Sequence, residues 1–570
     1  MPPLTKRWQV ARQPDGDVER NLQEYPPILR KILYNRGYST PEAARQYLRA
    51  ETPGGTDPNN MLGIPEAVKR ISFALGRQES IAVYGDYDVD GVTATALLTQ
   101  ILRRLGADVR GYIPNRFEEG YGLNNEAIDT LHLAGVKLVI TVDCGIRSIA
   151  EADHARRLGL DLIISDHHHP GSEIPHAVAV IDPKQPGDLY PDKELAGVGL
   201  AYKLAAALIE EVNEANDPSL NVADTLDLVA LGTVADLAPL VGENRTLVRA
   251  GLKRIRQPQR QGIMSLIGVS GLKAANITAS DIGYALGPRL NAAGRLDSAL
   301  AALELLLTED VLKAGQISQQ LEIQNHERQQ ITREILLQAE QLALAEDPNA
   351  PLLFAADPSF NPGVVGLAAS RLTETYYRPA IVAQKGEYFT RGSCRSIPEF
   401  HITHALDQCA ELMEHHGGHA AAAGFTVRNE NLSLLVDCLR ALAKQELSQL
   451  DLRPTLSADL ELPLSDLNVE ILKYLEMLEP TGTKNQQAVF ISRDIKLKNS
   501  RAVGKENAHL KLTVTDGYIT YDAIAFRQGH WLGQLPDKLD LMYTFEINEF
   551  NGRSTLQLNV RDLKPAGSPD

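Results

Sequence analysis

At 570 residues the chain is too long for a single hydrophobic core, and three or four domains are expected. Hydrophobic residues make up 44% and charged residues 23%, an ordinary balance for a globular chain, and no apolar run reaches the length of a membrane span. The formal net charge of −16 excludes a generic nucleic-acid coat but leaves room for a local basic channel.

Residues 1–8 carry no apolar core of the kind a signal peptide needs. Cys144, Cys394, Cys409 and Cys438 are scattered, with no CxxC pair, so neither a disulfide framework nor a thiolate zinc site is expected. A reduced, cytoplasmic setting follows. Residues 26–33 and 39–48 read as short helices, the second capped by Thr40 with Pro41 at its first position. A further helix is expected over 64–75.

From 79 to about 240 the pattern alternates. Strands are predicted at 81–83, 108–112, 137–142, 161–164 and 177–181, and helices at 92–105, 125–133, 148–158 and 195–212. This is the signature of a mostly parallel sheet with crossover helices. Residues 225–300 are largely helical, and 310–346 read as one long polar helix closed by Asp347-Pro348-Asn349. A second α/β unit follows over about 352–446, with strands at 352–355 and 380–383 around a helix at 365–376. Five or six alternating strands between 453 and 565, with turn signals at Asp516-Gly517 and Asn551-Gly552, predict a small closed barrel of the OB type.

The chemistry concentrates at strand ends. The first strand runs into Asp86, Asp88 and Asp90, then a glycine and a helix. Three carboxylates at such a mouth repel one another unless cations offset the charge, and this mouth is also where open α/β sheets bind ligands. A polar turn capping the next helix is the simpler alternative. The third strand ends in Asp143, the fourth in Asp166-His167-His168-His169, and Asp236 lies in a glycine-punctuated helical stretch. Acids and imidazoles from three parallel strands then meet at one edge. Such a donor set suits Mn²⁺ or Mg²⁺ before zinc, and about five ligands would hold a pair of ions.

These residues resemble the DHH phosphoesterase superfamily, whose name spells the run at Asp166-His167-His168. The likeness extends to the RecJ single-stranded-DNA-specific exonucleases: Gly85–Gly91, Tyr112–Leu123, Val142–Gly145, Asp166–Pro170, Gly197–Gly199, Thr233–Asp236 and Gly287–Arg295 follow in the family's order, and Gly392–Ser396 and Gly417–Phe425 look like its DHHA1 domain. The resemblance implies a helical segment at 1–78, a DHH domain at 79–240, a helical region with a connector helix at 241–346, DHHA1 at 347–450 and an OB-fold at 451–570. It implies Asp88, Asp90, Asp143, His167 and Asp236 as ligands of Mn²⁺ or Mg²⁺, with Asp86 beside or on an ion and His168 on the scissile phosphate. Arg116, Ser393 and Arg395 would hold the terminal phosphate, and Arg289, Asn291, Arg295 and His419 would line the strand's path. The implied activity is 5′-to-3′ hydrolysis of single-stranded DNA to mononucleotides in repair and recombination. A monomer is implied, with a single-stranded-DNA-binding protein and a repair helicase as partners.

Three departures stand out. Tyr84 occupies a position where many superfamily members carry a ligating His, Phe360-Asn361 replaces Trp-His, and Thr481–Asn485 replaces a more glycine-rich linker. His401, His404, His415, His416 and His419 mimic a zinc cluster, but Gly417-Gly418 suggests a phosphate or nucleotide loop with His419 as its donor. Arg249, Lys253 and Arg256 share a helix face, with Arg254 and Arg260 nearby; they form one wall of a strand channel or a solvated face. In the barrel, Tyr543, Phe545, Phe550 and Arg553 either stack and pair with a strand or fill the core. The rival functions are a DHH phosphoesterase for short oligonucleotides, cyclic dinucleotides or phosphoadenosine phosphate, and a catalytically silent scaffold.

Overall fold

Continuous apolar runs become strands that are covered on both faces, which is the rule for parallel sheets. The computed structural model describes residues 5–14, 16–50, 56–115, 119, 122–212, 220–296, 298–550 and 553–569. It divides into two compact units. One comprises Trp8–Asn291, Ser298–Ser318 and Leu456–Asp570, and the other Met1–Arg7, Ala292–Asp297 and Gln319–Thr455.

The larger unit holds a five-stranded sheet in the order Val109–Tyr112, Ile81–Gly85, Leu138–Val142, Asp161–Ser165, Ala179–Ile181, parallel throughout. Ile81–Gly85 and Leu138–Val142 are buried at every position. The strand order reverses between Ile81–Gly85 and Leu138–Val142, and such a switch point opens a crevice at the carboxyl ends. Helix Val89–Arg104 leaves the first strand and packs on Gly197–Val212 and Leu226–Ala235. A Cβ on Gly232 would lie 2.3 Å from Thr93 Oγ1 and 2.8 Å from Asp90 Oδ1, so only hydrogen fits at this crossing. Gly232→Ala is expected to destabilise this unit by about 1–3 kcal/mol, read as a lower unfolding midpoint in urea.

The C-terminal strands Phe490–Val503, His509–Thr515, Thr520–Ala525, Arg553–Pro565 and Lys538–Phe550 pair in that order, and the last returns to Phe490–Val503 to close a barrel. Asp516-Gly517 makes the predicted turn between two of them. Asn551-Gly552 lies outside the described residues. Tyr543 and Phe545 are 0% and 5% exposed and fill the core, so they offer no stacking platform; the side chains of Phe550 and Arg553 are outside the described set.

The N-terminal helices Gly16–Asn21, Pro27–Asn35 and Pro41–Arg49 share this barrel's core: Leu22, Leu29, Ile32 and Leu33 pack in one cluster with Leu464, Phe490, Leu541 and Leu558. Thr40 accepts a hydrogen bond from Ala43 N, as its capping role predicts. Arg245, 2% exposed, links the parts of this unit. It donates to the carbonyls of Tyr47, Met477, Leu478 and Pro480. Strand Arg7–Val10, which pairs with Thr455–Ala458, gave no sequence signal.

The smaller unit's sheet runs Met413–His419, Ala422–Arg428, Phe389–Arg395, Ala380–Lys385, Leu353–Asp357. Only the last two strands were predicted. The expected glycine-rich loop at 417–418 is corrected: both glycines lie in an edge strand hairpinned onto Ala422–Arg428. Helix Val311–Glu346 forms at its predicted length. The expectation of unpaired cysteines is also corrected, because Cys409 and Cys438 are joined by a disulfide. Among the described residues, no helix is long and apolar enough to cross a membrane.

Candidate metal centre

The sheet's reversal point is where the acids gather. Asp88 caps helix Val89–Arg104 by accepting from Asp90 N and Gly91 N. Asp90 sits in the helix's first turn. Its carboxylate accepts from Gly197 N at 2.7 Å and Val198 N at 2.8 Å, so the start of helix Gly197–Val212 holds both oxygens. Asp143 follows strand Leu138–Val142 with φ of 61°, a left-handed backbone that aspartate tolerates better than most residues. A Cβ on Gly197 would stand 2.8 Å from the Asp143 Cβ, so that glycine lets the helix reach the strand tip.

His167 Nε2 lies 3.1 Å from Asp143 Oδ1, 3.8 Å from Asp90 Oδ2 and 3.9 Å from Asp236 Oδ2. Three donor sets result, each with its atoms within 4.8 Å of one another: Asp90, His167 and Asp236; Asp86, Asp88 and Asp143; and Asp143, His167 and His168. The first two sets are next to each other and suit two ions. The third is poorer, because His168 Nδ1 already bonds Asp166 Oδ1 at 2.7 Å.

Charge explains the rest. Burial, then Asp236 and Asp88, pushes Asp90 well above the carboxylate range. Burial, then Asp90 and its neighbours, does the same for Asp143, and burial with Asp88 lifts Asp236 to about 7. Burial, then the charge of His168, lowers His167 to about 3, so its imidazole is neutral. Burial opposes charge on His168, but its bond to Asp166 and the negative field raise it to about 9. Adjacent histidines are thus divided into a neutral donor and a cation. His167 Nε2 and Asp143 Oδ1 are both buried, have no hydrogen bond, and face each other as two lone pairs. That arrangement fits a divalent cation, and oxygen donors with one imidazole fit Mn²⁺ or Mg²⁺.

Two supporting residues were not in the predicted site. Asp166 accepts from Ile146 N, His167 N, His168 N and the His168 ring. Lys184 donates to the His167 carbonyl. Asp166 had a visible signal, an acid at a strand end like the others. Lys184 had none, since it reaches His167 only through the turn after Ala179–Ile181.

Tyr84 is not among the donors. It is fully buried, stacks on Tyr112 and donates to Gly122 O at 2.9 Å. Of the predicted phosphate residues, Arg116 lies outside the described set. In the smaller unit Arg395 donates to Ser393 Oγ at 3.1 Å, and both stand 3.0 Å from where a Cβ on Gly366 would be, at the start of helix Val365–Tyr376. Arg289 donates to Ala285 O, and Arg295 to Gly363 O. Asn291 lies on helix Gly287–Leu296, and His419 ends an exposed edge strand. No metal-donor set among the described residues includes His401, His404, His415, His416 or His419.

Three family models match the chain: the DHH family N-terminal domain over 80–233, the DHHA1 domain over 349–445 and the RecJ OB domain over 458–562. The single-stranded-DNA-specific exonuclease RecJ of Bacillus subtilis (strain 168) is 38% identical over 565 residues, 98% of this chain and 70% of that protein. Its namesake in Escherichia coli (strain K12) is 35% identical over 581 residues, 99% of this chain and all of that protein. The chain belongs to the RecJ family. A crystal structure of RecJ in complex with Mn²⁺ from Thermus thermophilus matches 99% of this chain and 80% of that one, with a TM-score of 0.84 and 30% identity. The Mg²⁺ complex of the same RecJ matches with a TM-score of 0.77 and 28% identity.

The departures from the RecJ pattern have structural uses. Phe360 is 1% exposed in the smaller unit's core, and Asn361 Oδ1 accepts from Gly363 N ahead of helix Val365–Tyr376. Asn485 is 2% exposed and accepts from the Tyr47 hydroxyl and Arg36, while Thr483 O accepts from Leu240 N.

Proposed function

We propose that this chain is a metal-dependent exonuclease that hydrolyses single-stranded DNA to mononucleotides from the 5′ end. The convergence of Asp88, Asp90, Asp143, His167 and Asp236 on two adjoining donor sets supports the reading most directly. These five residues would hold a pair of Mn²⁺ or Mg²⁺ ions, with Asp86 beside them. Bound there, the ions would supply Lewis acidity and a nucleophile at neutral pH. Asp90 keeps its carboxylate aimed by two helix amides. His167 stays neutral and so keeps its Nε2 lone pair available. His168, charged and held by Asp166, would offer its Nε2–H to the scissile phosphate and stabilise charge that grows there. No side chain acts as a covalent nucleophile.

Ser393 and Arg395, at the head of helix Val365–Tyr376, would take the terminal phosphate together with Arg116. Arg289, Asn291, Arg295 and His419 would lie along the strand's path. Arg395→Ala is expected to raise KM for a 5′-phosphorylated strand about tenfold, the worth of one charged hydrogen bond of roughly 1.5 kcal/mol, with a smaller effect on kcat. We place the DHH, DHHA1 and OB boundaries near 79–240, 347–450 and 451–570. The enzyme would act as a cytoplasmic monomer, with a single-stranded-DNA-binding protein and a repair helicase as partners.

End-labelled single- and double-stranded DNA and RNA, digested with Mn²⁺ or Mg²⁺, test the reading. Single-stranded DNA should lose its 5′ label first, as mononucleotide, while duplex survives. Rapid cleavage of a dinucleotide beside an inert long strand would favour a small-substrate phosphoesterase instead.

A further inference from the structure

The helices that carry the acidic cluster have opposite ends, and those ends meet at a cavity. Val89–Arg104 begins at Asp88 and Asp90 and finishes at Gln100, Arg103 and Arg104, while Leu226–Ala235 runs the other way, from Asp227 to Asp236. A helix of 16 residues is about 24 Å long, so the two ends are well separated. The cavity there has a volume of about 600 Å³ and lies wholly within the larger unit.

Its lining is polar. Arg260 pairs with Asp227 at 3.1 Å, and Arg254 with Asp224 at 3.0 Å. Arg104 leans on the same Asp224 at 3.5 Å. Arg103 is exposed and makes no ion pair with any described residue. Glu309 is the remaining carboxylate. Four guanidiniums thus face three carboxylates, in a chain whose formal charge is −16. Carboxamides, among them Gln257 and Gln261, share the rest of the wall with Leu307 and Thr308. The neighbouring basic face does not continue this lining: Arg249 is tied to Leu48 O and Arg256 to Ile277 O.

We propose that this cavity is a second ligand site, separate from the metal cluster, and that it takes a nucleoside phosphate. Arg103 offers a planar fork suited to a phosphate, and Arg254, which holds Asp224 through Nη2, lines the same cavity. Gln257 and Gln261 each carry a donor and an acceptor, the pair needed to read a base edge. A simple anion would use the arginines and leave the carboxamides idle. The volume lies within the range for small-molecule sites.

Isothermal titration of the full chain in EDTA with ADP, pyrophosphate and adenosine tests this. ADP should bind one-to-one, and pyrophosphate and adenosine each roughly tenfold more weakly. Arg103→Glu should weaken ADP roughly tenfold while leaving the unfolding temperature and strand hydrolysis unchanged, and Gln257→Ala should weaken ADP but not pyrophosphate. Absence of binding at about 1 mM ADP overturns the proposal, as does equal affinity for pyrophosphate or an Arg103→Glu variant that binds ADP normally. Loss of ADP affinity in Arg395→Ala equal to that in Arg103→Glu would move the binding to the smaller unit. A loss of single-stranded-DNA affinity in Arg103→Glu would make the cavity a wall of the strand path. Either result also overturns it.

Discussion

Asp143→Ala is expected to lower turnover of single-stranded DNA by about three orders of magnitude or more, equivalent to about 4 kcal/mol of barrier. Asp143 belongs to two donor sets, and its Oδ1 faces His167 Nε2 at 3.1 Å. Removing it takes one of three donors from the Asp86, Asp88 and Asp143 set and the carboxylate that faces His167 in the adjoining one. The fold should suffer little. Burial and the neighbouring acids already hold this carboxyl well above its usual range, so its charge costs stability when no cation is bound. Alanine then meets the left-handed backbone at φ 61°, a strain of about 1 kcal/mol. Asparagine accepts that conformation better. In EDTA, Asp143→Asn should therefore unfold at or above the parent's temperature, and Asp143→Ala close to it. Both should show a smaller thermal shift than the parent on adding Mn²⁺. Wild-type-like turnover by either variant would remove Asp143 from the mechanism.

Asp166→Asn is expected to reduce turnover by roughly 10²–10³-fold without touching a donor set. The Asp166 carboxylate accepts three backbone amides and the His168 ring. An asparagine offers one oxygen, and its amide nitrogen would face a donor. With the oxygen kept at the Oδ1 position the amide nitrogen would face Ile146 N, and His168 would lose the negative charge that keeps it protonated. If Asp166 acts through His168, the loss should shrink in a His168→Ala background, because residues that work as a unit do not add. Full multiplication of the two losses would leave Asp166 with a purely structural role, and a large fall in unfolding temperature would accompany it.

The sequence was readable where one physical cause acted alone. Ile81–Gly85 and Leu138–Val142 are buried on both faces, so their apolar runs had no competing pattern. Their acidic ends stood out because nothing else accounts for charge at a buried strand tip. Phe389–Arg395 and Met413–His419 were harder. Their glycines are poor strand formers, and tertiary pairing overrides that weakness. Arg7–Val10 is four residues long and finds its partner at Thr455–Ala458, far along the chain. Tyr543 and Phe545 alternate with polar neighbours whichever way the barrel turns, so alternation could not tell core from binding face. The Cys409–Cys438 pair sits on elements whose approach no spacing announces.

The shared core of the N-terminal helices and the barrel has a consequence for biosynthesis. Leu29, Ile32 and Leu33 leave the ribosome about 430–460 residues before Leu464 and Phe490, a delay of roughly 20–90 s at elongation rates of about 5–20 residues per second. During that wait their greasy stripe has no native cover. A fragment ending before the barrel should be more soluble if residues 16–49 are deleted as well.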